Sequence, residues 1–136
     1  MSGDEEAAVP DGSREGAAVR DESAAGTELV DRIAAIASDR KAIDIRVLDV
    51  RGMVGYTDFF VIASGNTERQ TKAIHDAIHE ELKGEGVLPR RTEGQREARW
   101  VLMDYTDVVV HIFTPDARGF YRLEQLWGEA PARSVV

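Results

Sequence analysis

Apolar residues recur along this chain with two different periods, and the changes of period divide it into helical and extended stretches. Leu29, Ile33, Ile36 and Ala37 fall at helical spacing and predict one buried helix face. Thr27 suits the N-cap of that helix, and Glu28 suits its first turn. Ile43, Ile45 and Val47 then alternate with Asp44 and Arg46, predicting a half-exposed strand over 43–50. Phe59, Phe60, Val61, Ile62 and Ala63 run without a polar break, as in a central strand covered on both faces. Gly65, Asn66 and Thr67 interrupt it. Thr67 and Gln70 have capping-box spacing, and Ala73, Ile74, Ala77, Ile78 and Leu82 form the stripe of a helix running to about Gly84. Two more strands follow at 100–104 and 108–113, joined by a short turn. Thr114, Pro115 and Asp116 then supply a cap, a proline and an early acid for a last helix faced by Phe120, Leu123 and Trp127. Gly128 and Pro131 stop it.

The order α-β-β-α-β-β-α predicts a single compact α/β domain over residues 27–131, a mixed sheet of four to five strands flanked by helices. Residues 132–136 read as a C-terminal tail. Residues 1–26 are acidic and poor in large apolar side chains, so they are expected to form a disordered tail. Charge sharpens this division: of the net −8, five negative charges fall in residues 1–26 and three in the remainder. A protein gripping nucleic acid through phosphates needs a basic stripe, and only Arg90, Arg91, Arg96 and Arg99 cluster. Direct nucleic-acid specificity is therefore not expected, and a mildly acidic domain better suits a basic protein partner. There is no cysteine, no apolar run near the ~18 residues of a membrane span and no secretory signal at the N-terminus, so a cytoplasmic location without membrane contact is expected.

Each candidate for chemistry has a weak signal. Ser64 and Gly65 lie between a strand and a helix, where exposed amides favour a phosphate, but neither GxxxxGK[ST] nor GxGxxG is present. A small nucleotide- or metal-dependent transferase built on that turn is the alternative reading. His75 and His79 stand one turn apart, yet Asp76 replaces the glutamate of a metalloprotease helix, so a solvated flank fits better. His111 lies inside an apolar strand and reads as a histidine hydrogen-bonded within the sheet. No catalytic residue, cofactor or metal ligand is assigned. The segment 93–127 holds Trp100, Tyr105, Phe113, Phe120, Tyr121 and Trp127, with Tyr56, Phe59 and Phe60 the other aromatics. Within it, Tyr105 is expected to protrude at a hairpin tip between Asp104 and Asp107, beside Trp100. Acids also suit plain turns, so an interface and a simple hairpin both remain open.

Several blocks in register carry a resemblance: DIRVLDVRG at 44–52, YTDFFVIASG at 56–65, ERQTKAI at 68–74, GVLPRRTEG at 86–94, RWVLMDYTDVVVHIF at 99–113 and FYRLEQLWGEAP at 120–131. The chain resembles the ribosomal silencing factor (iojap) family over about residues 28–131. That resemblance implies a nucleotidyltransferase-like topology without the catalytic acids. It implies binding to the large ribosomal subunit through ribosomal protein uL14, obstruction of joining with the small subunit, lowered translation when nutrients are scarce, and a homodimer when free. By the same resemblance the partner-binding residues are Trp100, Leu102, Asp104, Tyr105 and Asp107.

Overall fold

A computed structural model describes residues 17–135, with side chains from Gly26 onward except that of Phe120. The chain divides after Asp31 into two compact units. The first contributes residues 17–31, described here only as part of helix α1 (Ala17–Asp39). Helix α1 thus starts ten residues before the expected Thr27 cap, and Thr27 lies inside it. The run from Ala17 to Ala25 is rich in alanine, whose helix propensity carries the helix toward the N-terminus. Residues 1–16 of the expected tail lie outside the described residues.

In the second unit the chain continues through β1 (Ile43–Asp49), β2 (Phe59–Ser64), α2 (Glu68–Gly84), β3 (Arg91–Glu93), β4 (Trp100–Asp104), β5 (Val108–Phe113), α3 (Pro115–Tyr121), α4 (Leu123–Leu126) and β6 (Ala132–Val135). The sheet is mixed and six-stranded, in the order β3-β4-β5-β2-β1-β6. β2 and β5 pair in parallel at its centre, and the other neighbours are antiparallel. Both central strands are buried along their whole length, as their unbroken apolar sequence requires.

The sheet has one strand more than the four to five expected, and two of its strands lie outside the four that the sequence pattern places. β3 is only three residues of polar edge, and β6 lies in the segment expected as a tail, paired with β1 from Ala132 to Val135. Neither carries enough apolar periodicity to predict. Helix α2 follows its expected bounds: Thr67 Oγ1 accepts from Gln70 N–H at 3.1 Å, while the Gln70 amide oxygen accepts from Asn66 N–H at 2.8 Å. Its buried stripe is Thr71, Ile74, Ala77, Ile78 and Leu82, with Ala73 exposed. The last helix is broken in two where Arg122 takes the left-handed conformation at φ 51°.

Alternation assigns the sheet's faces. Val101 and Met103 of β4 are fully buried, and α2 contacts both β4 and β5. The other parity forms a core of Leu48, Val50, Phe60, Ile62, Val109 and Phe113 beneath Ala117 of α3 and Ala130, with Leu123 and Trp127 packed against it. Trp100 and Leu102 lie on this second face and stay only half-buried.

Candidate docking surface

The β4–β5 register determines what each residue of the second face meets. Trp100 pairs with Phe113, Leu102 with His111, and Asp104 with Val109. Around Trp100 the rings of Tyr121, Phe113 and His111 lie at centroid distances of 4.4, 5.2 and 5.9 Å. The indole N–H of Trp100 donates to His111 Nδ1 at 3.0 Å. Tyr56 (61 % exposed) and Tyr121 (48 %) are large side chains displayed to solvent. A cavity of about 270 Å³ is lined by Tyr56, Leu102, Val109 and His111 together with Arg90, Arg91 and Asp104. The assembly is a half-covered apolar and aromatic surface with a polar margin. Such a surface offers binding energy to a partner, since fully burying a leucine contributes about 1.5–3 kcal/mol.

The hairpin end differs from its expected form. Tyr105 does not protrude: it is 6 % exposed, and burial pushes its hydroxyl up to about 12. The reason is the tightness of the turn. Tyr105 N–H donates to Val108 C=O at 2.8 Å, and Asp107 N–H donates back to Tyr105 C=O at 2.9 Å. This i→i+2 bond encloses Thr106 at φ 77°, a strained γ-turn for a β-branched residue. Thr106 is therefore the displayed tip residue, and Tyr105 folds beneath it.

Asp104 is also buried, and its carboxylate is satisfied within the protein. One oxygen accepts from Thr106 N–H at 2.8 Å, and the other accepts from Arg90 Nη2 at 3.0 Å with Arg91 Nε at 3.7 Å. Its charge holds the turn and the β3 edge together, which removes it as an outward-facing acid. Asp107 is half-buried, and its carbonyl accepts from Asp58 and Phe59 N–H, both at 3.1 Å. Partial burial, with the nearby Asp107 charge, raises Asp58 above the usual carboxylate range. The structure thus groups Trp100 and Leu102 on the open face, uses Asp104 and Tyr105 internally, and leaves Asp107 at the margin. Tyr56, Arg90, Arg91 and His111 join this surface. The Leu102–His111 pairing was available once the hairpin register was counted, whereas nothing local marked Tyr56.

A sequence profile described as "Ribosomal silencing factor during starvation" matches residues 22–136. The chain belongs to the ribosomal silencing factor family. It is 45 % identical over 98 residues to the ribosomal silencing factor RsfS of Bacillus subtilis, covering 72 % of this chain and 83 % of that protein. It is 41 % identical over 104 residues to RsfS of Halalkalibacterium halodurans, covering 76 % and 89 %. A crystal structure of a Bacillus halodurans protein superimposes with a TM-score of 0.71 at 38 % identity, over 80 % of this chain and 99 % of that one. Members of the ribosomal silencing factor family are named as regulators rather than as enzymes.

The strand–helix junction that carries the transferase alternative is filled by the protein's own groups. Ser64 is buried, and its hydroxyl accepts from Arg118 Nη1 at 2.8 Å. Arg118 also donates to both carboxylate oxygens of Glu124, each at 2.9 Å, which holds Glu124 below the usual carboxylate range. Gly65 is required by close approach, because a Cβ there would lie 2.7 Å from Thr71 N. The amides of Asn66 and Gln70 are capped by side chains. His75 and His79 stack at 6.0 Å, and among the described residues no group of three or more His, Asp or Glu is placed to hold a metal ion. Nor is any described helix long and apolar enough to cross a membrane.

Proposed function

We propose that this protein silences ribosomes by docking on the large subunit through uL14 and obstructing union with the small subunit. The observation that carries the reading is the half-buried Trp100–Leu102 face in a chain of the ribosomal silencing factor family. Trp100 and Leu102 are the anchors, with Tyr56 and Tyr121 beside them. Asp107 and Asp58 make the hairpin end acidic, which suits a basic ribosomal protein and speeds encounter. Asp104 and Tyr105 support the surface from within and are not themselves contacts.

The mechanism is steric and needs no bond-making. A 15.0 kDa protein seated where the subunits meet blocks them by volume. At micromolar affinity, about −8 kcal/mol, occupancy follows the factor's concentration, so raising its level under starvation is enough to lower translation. The family resemblance further supports a homodimer as the unbound form, expected to sediment near twice the monomer mass. The deciding experiment is sucrose-gradient sedimentation with added protein. The protein should travel with free large subunits and deplete joined ribosomes, and equal co-migration with joined ribosomes would sink the occlusion mechanism.

A further inference from the structure

We propose that His111 is a positioning residue for docking: it accepts the indole N–H of Trp100 and so holds that ring ready to bind through its apolar surface alone. The inference rests on the reading of the Trp100–Leu102 face as the docking surface. His111 is 4 % exposed and stands directly opposite Leu102 in the β4–β5 pair, with Trp100 as its diagonal neighbour. One buried side chain therefore sits beside both anchors on the same face. Tyr121 and Phe113 pack against the Trp100 ring. The 3.0 Å contact to His111 Nδ1 uses the indole's one polar atom.

That contact also decides the imidazole's tautomer. An Nδ1 that accepts must carry a lone pair, so the proton resides on Nε2. Burial pushes the His111 imidazole down to about 4, which keeps the ring neutral and Nδ1 an acceptor at neutral pH. Without the acceptor, a half-buried indole N–H would have to turn toward water or take an acceptor from the partner. With it, the ring is pre-oriented, and less freedom is lost on binding. The partner surface facing Trp100 therefore needs an apolar or cationic group and no hydrogen-bond acceptor.

The experiment is heteronuclear NMR of the full chain, combined with binding to purified uL14. Trp100 and Trp127 are the only tryptophans, so a Trp127→Phe sample assigns the two indole signals. In the parent, coupling between Trp100 Nε1 and His111 Nδ1 across the hydrogen bond is expected, and its absence overturns the proposal. His111→Phe keeps ring volume but removes the acceptor. It should shift the Trp100 signal, speed its solvent exchange about tenfold and weaken uL14 binding about tenfold. His111→Asn places an oxygen near the Nδ1 position and should restore both to within about threefold of the parent. A His111→Phe protein with parent-like indole signal and affinity would overturn the proposal, as would His111→Asn binding as poorly as His111→Phe. Should His111→Phe not fold, the coupling and the asparagine variant decide. Failure of the parent to bind uL14 would instead refute the docking reading, with the cross-bond coupling judged separately.

Discussion

The Ser64–Thr67 junction and the Trp100–Phe113 hairpin contribute to the same face of one sheet through Ser64 and Trp100, and both offer polar groups. They differ in what the fold leaves available. At the junction Arg118 bonds Ser64 and Glu124, the amides of Asn66 and Gln70 meet the Gln70 and Thr67 side chains, and Gly65 presses against Thr71. At the hairpin Asp104 pairs with Arg90 and Trp100 with His111, the buried Tyr105 hydroxyl and His111 Nε2 have no hydrogen-bond partner among the described residues, and apolar area remains half-exposed. The lesson is physical. A strand–glycine–helix turn resembles a ligand site only until its own neighbours fill it, whereas uncovered apolar surface with a polar margin is what a protein partner can bury.

The largest expected effect breaks the hairpin from within. Because Tyr105 is buried, Tyr105→Ala should behave as a core truncation and cost about 3–5 kcal/mol in denaturant unfolding. A loss below about 1 kcal/mol would show that the ring does not support the turn.

A second test uses pH. His111 titrates at about 4 when folded and near its ordinary 6.5 when unfolded. Between those values the unfolded chain takes up a proton that the folded chain excludes. Stability contributed by the neutral ring is therefore complete above pH 6.5 and is lost as pH falls through about 4, amounting to about 3 kcal/mol. Urea melts from pH 7 to pH 4 should show this slope in the parent and a flatter one in His111→Phe. Equal slopes would contradict the burial of His111.

Smaller still is the effect expected at the junction. Gly65→Ala drives a Cβ against the backbone of Thr71 and should cost about 2 kcal/mol of stability. At temperatures where the variant is folded, its affinity for uL14 should match the parent. A selective loss of binding would return the junction to consideration as a functional site.

The central strands, the capped start of α2 and both strands of the hairpin were legible in the sequence, because period and capping residues act locally. The direction of Tyr105 was not. It depends on a three-residue turn whose strain at Thr106 is held by Asp104, and no pattern of apolar positions encodes that. β3 and β6 were missed because each is a short, exposed edge paired to a longer strand. The start of α1 was misplaced because Thr27 looks like a cap while the alanines before it favour continuing the helix. At the candidate site, Trp100 and Leu102 were expected from the resemblance, and their position on one face follows from strand alternation. His111, Tyr56 and the arginines required the register and the tertiary fold.

The central claim is that the open half of this sheet face is the docking surface, and Leu102→Asp tests it most directly. Leu102 is half-buried on that face, so a carboxylate there can stay hydrated in the free protein but would be buried against a partner. Binding to purified uL14 should weaken by about thirtyfold or more, near 2 kcal/mol, while the circular-dichroism spectrum stays that of the parent. A folded Leu102→Asp protein that binds uL14 as tightly as the parent would contradict the account.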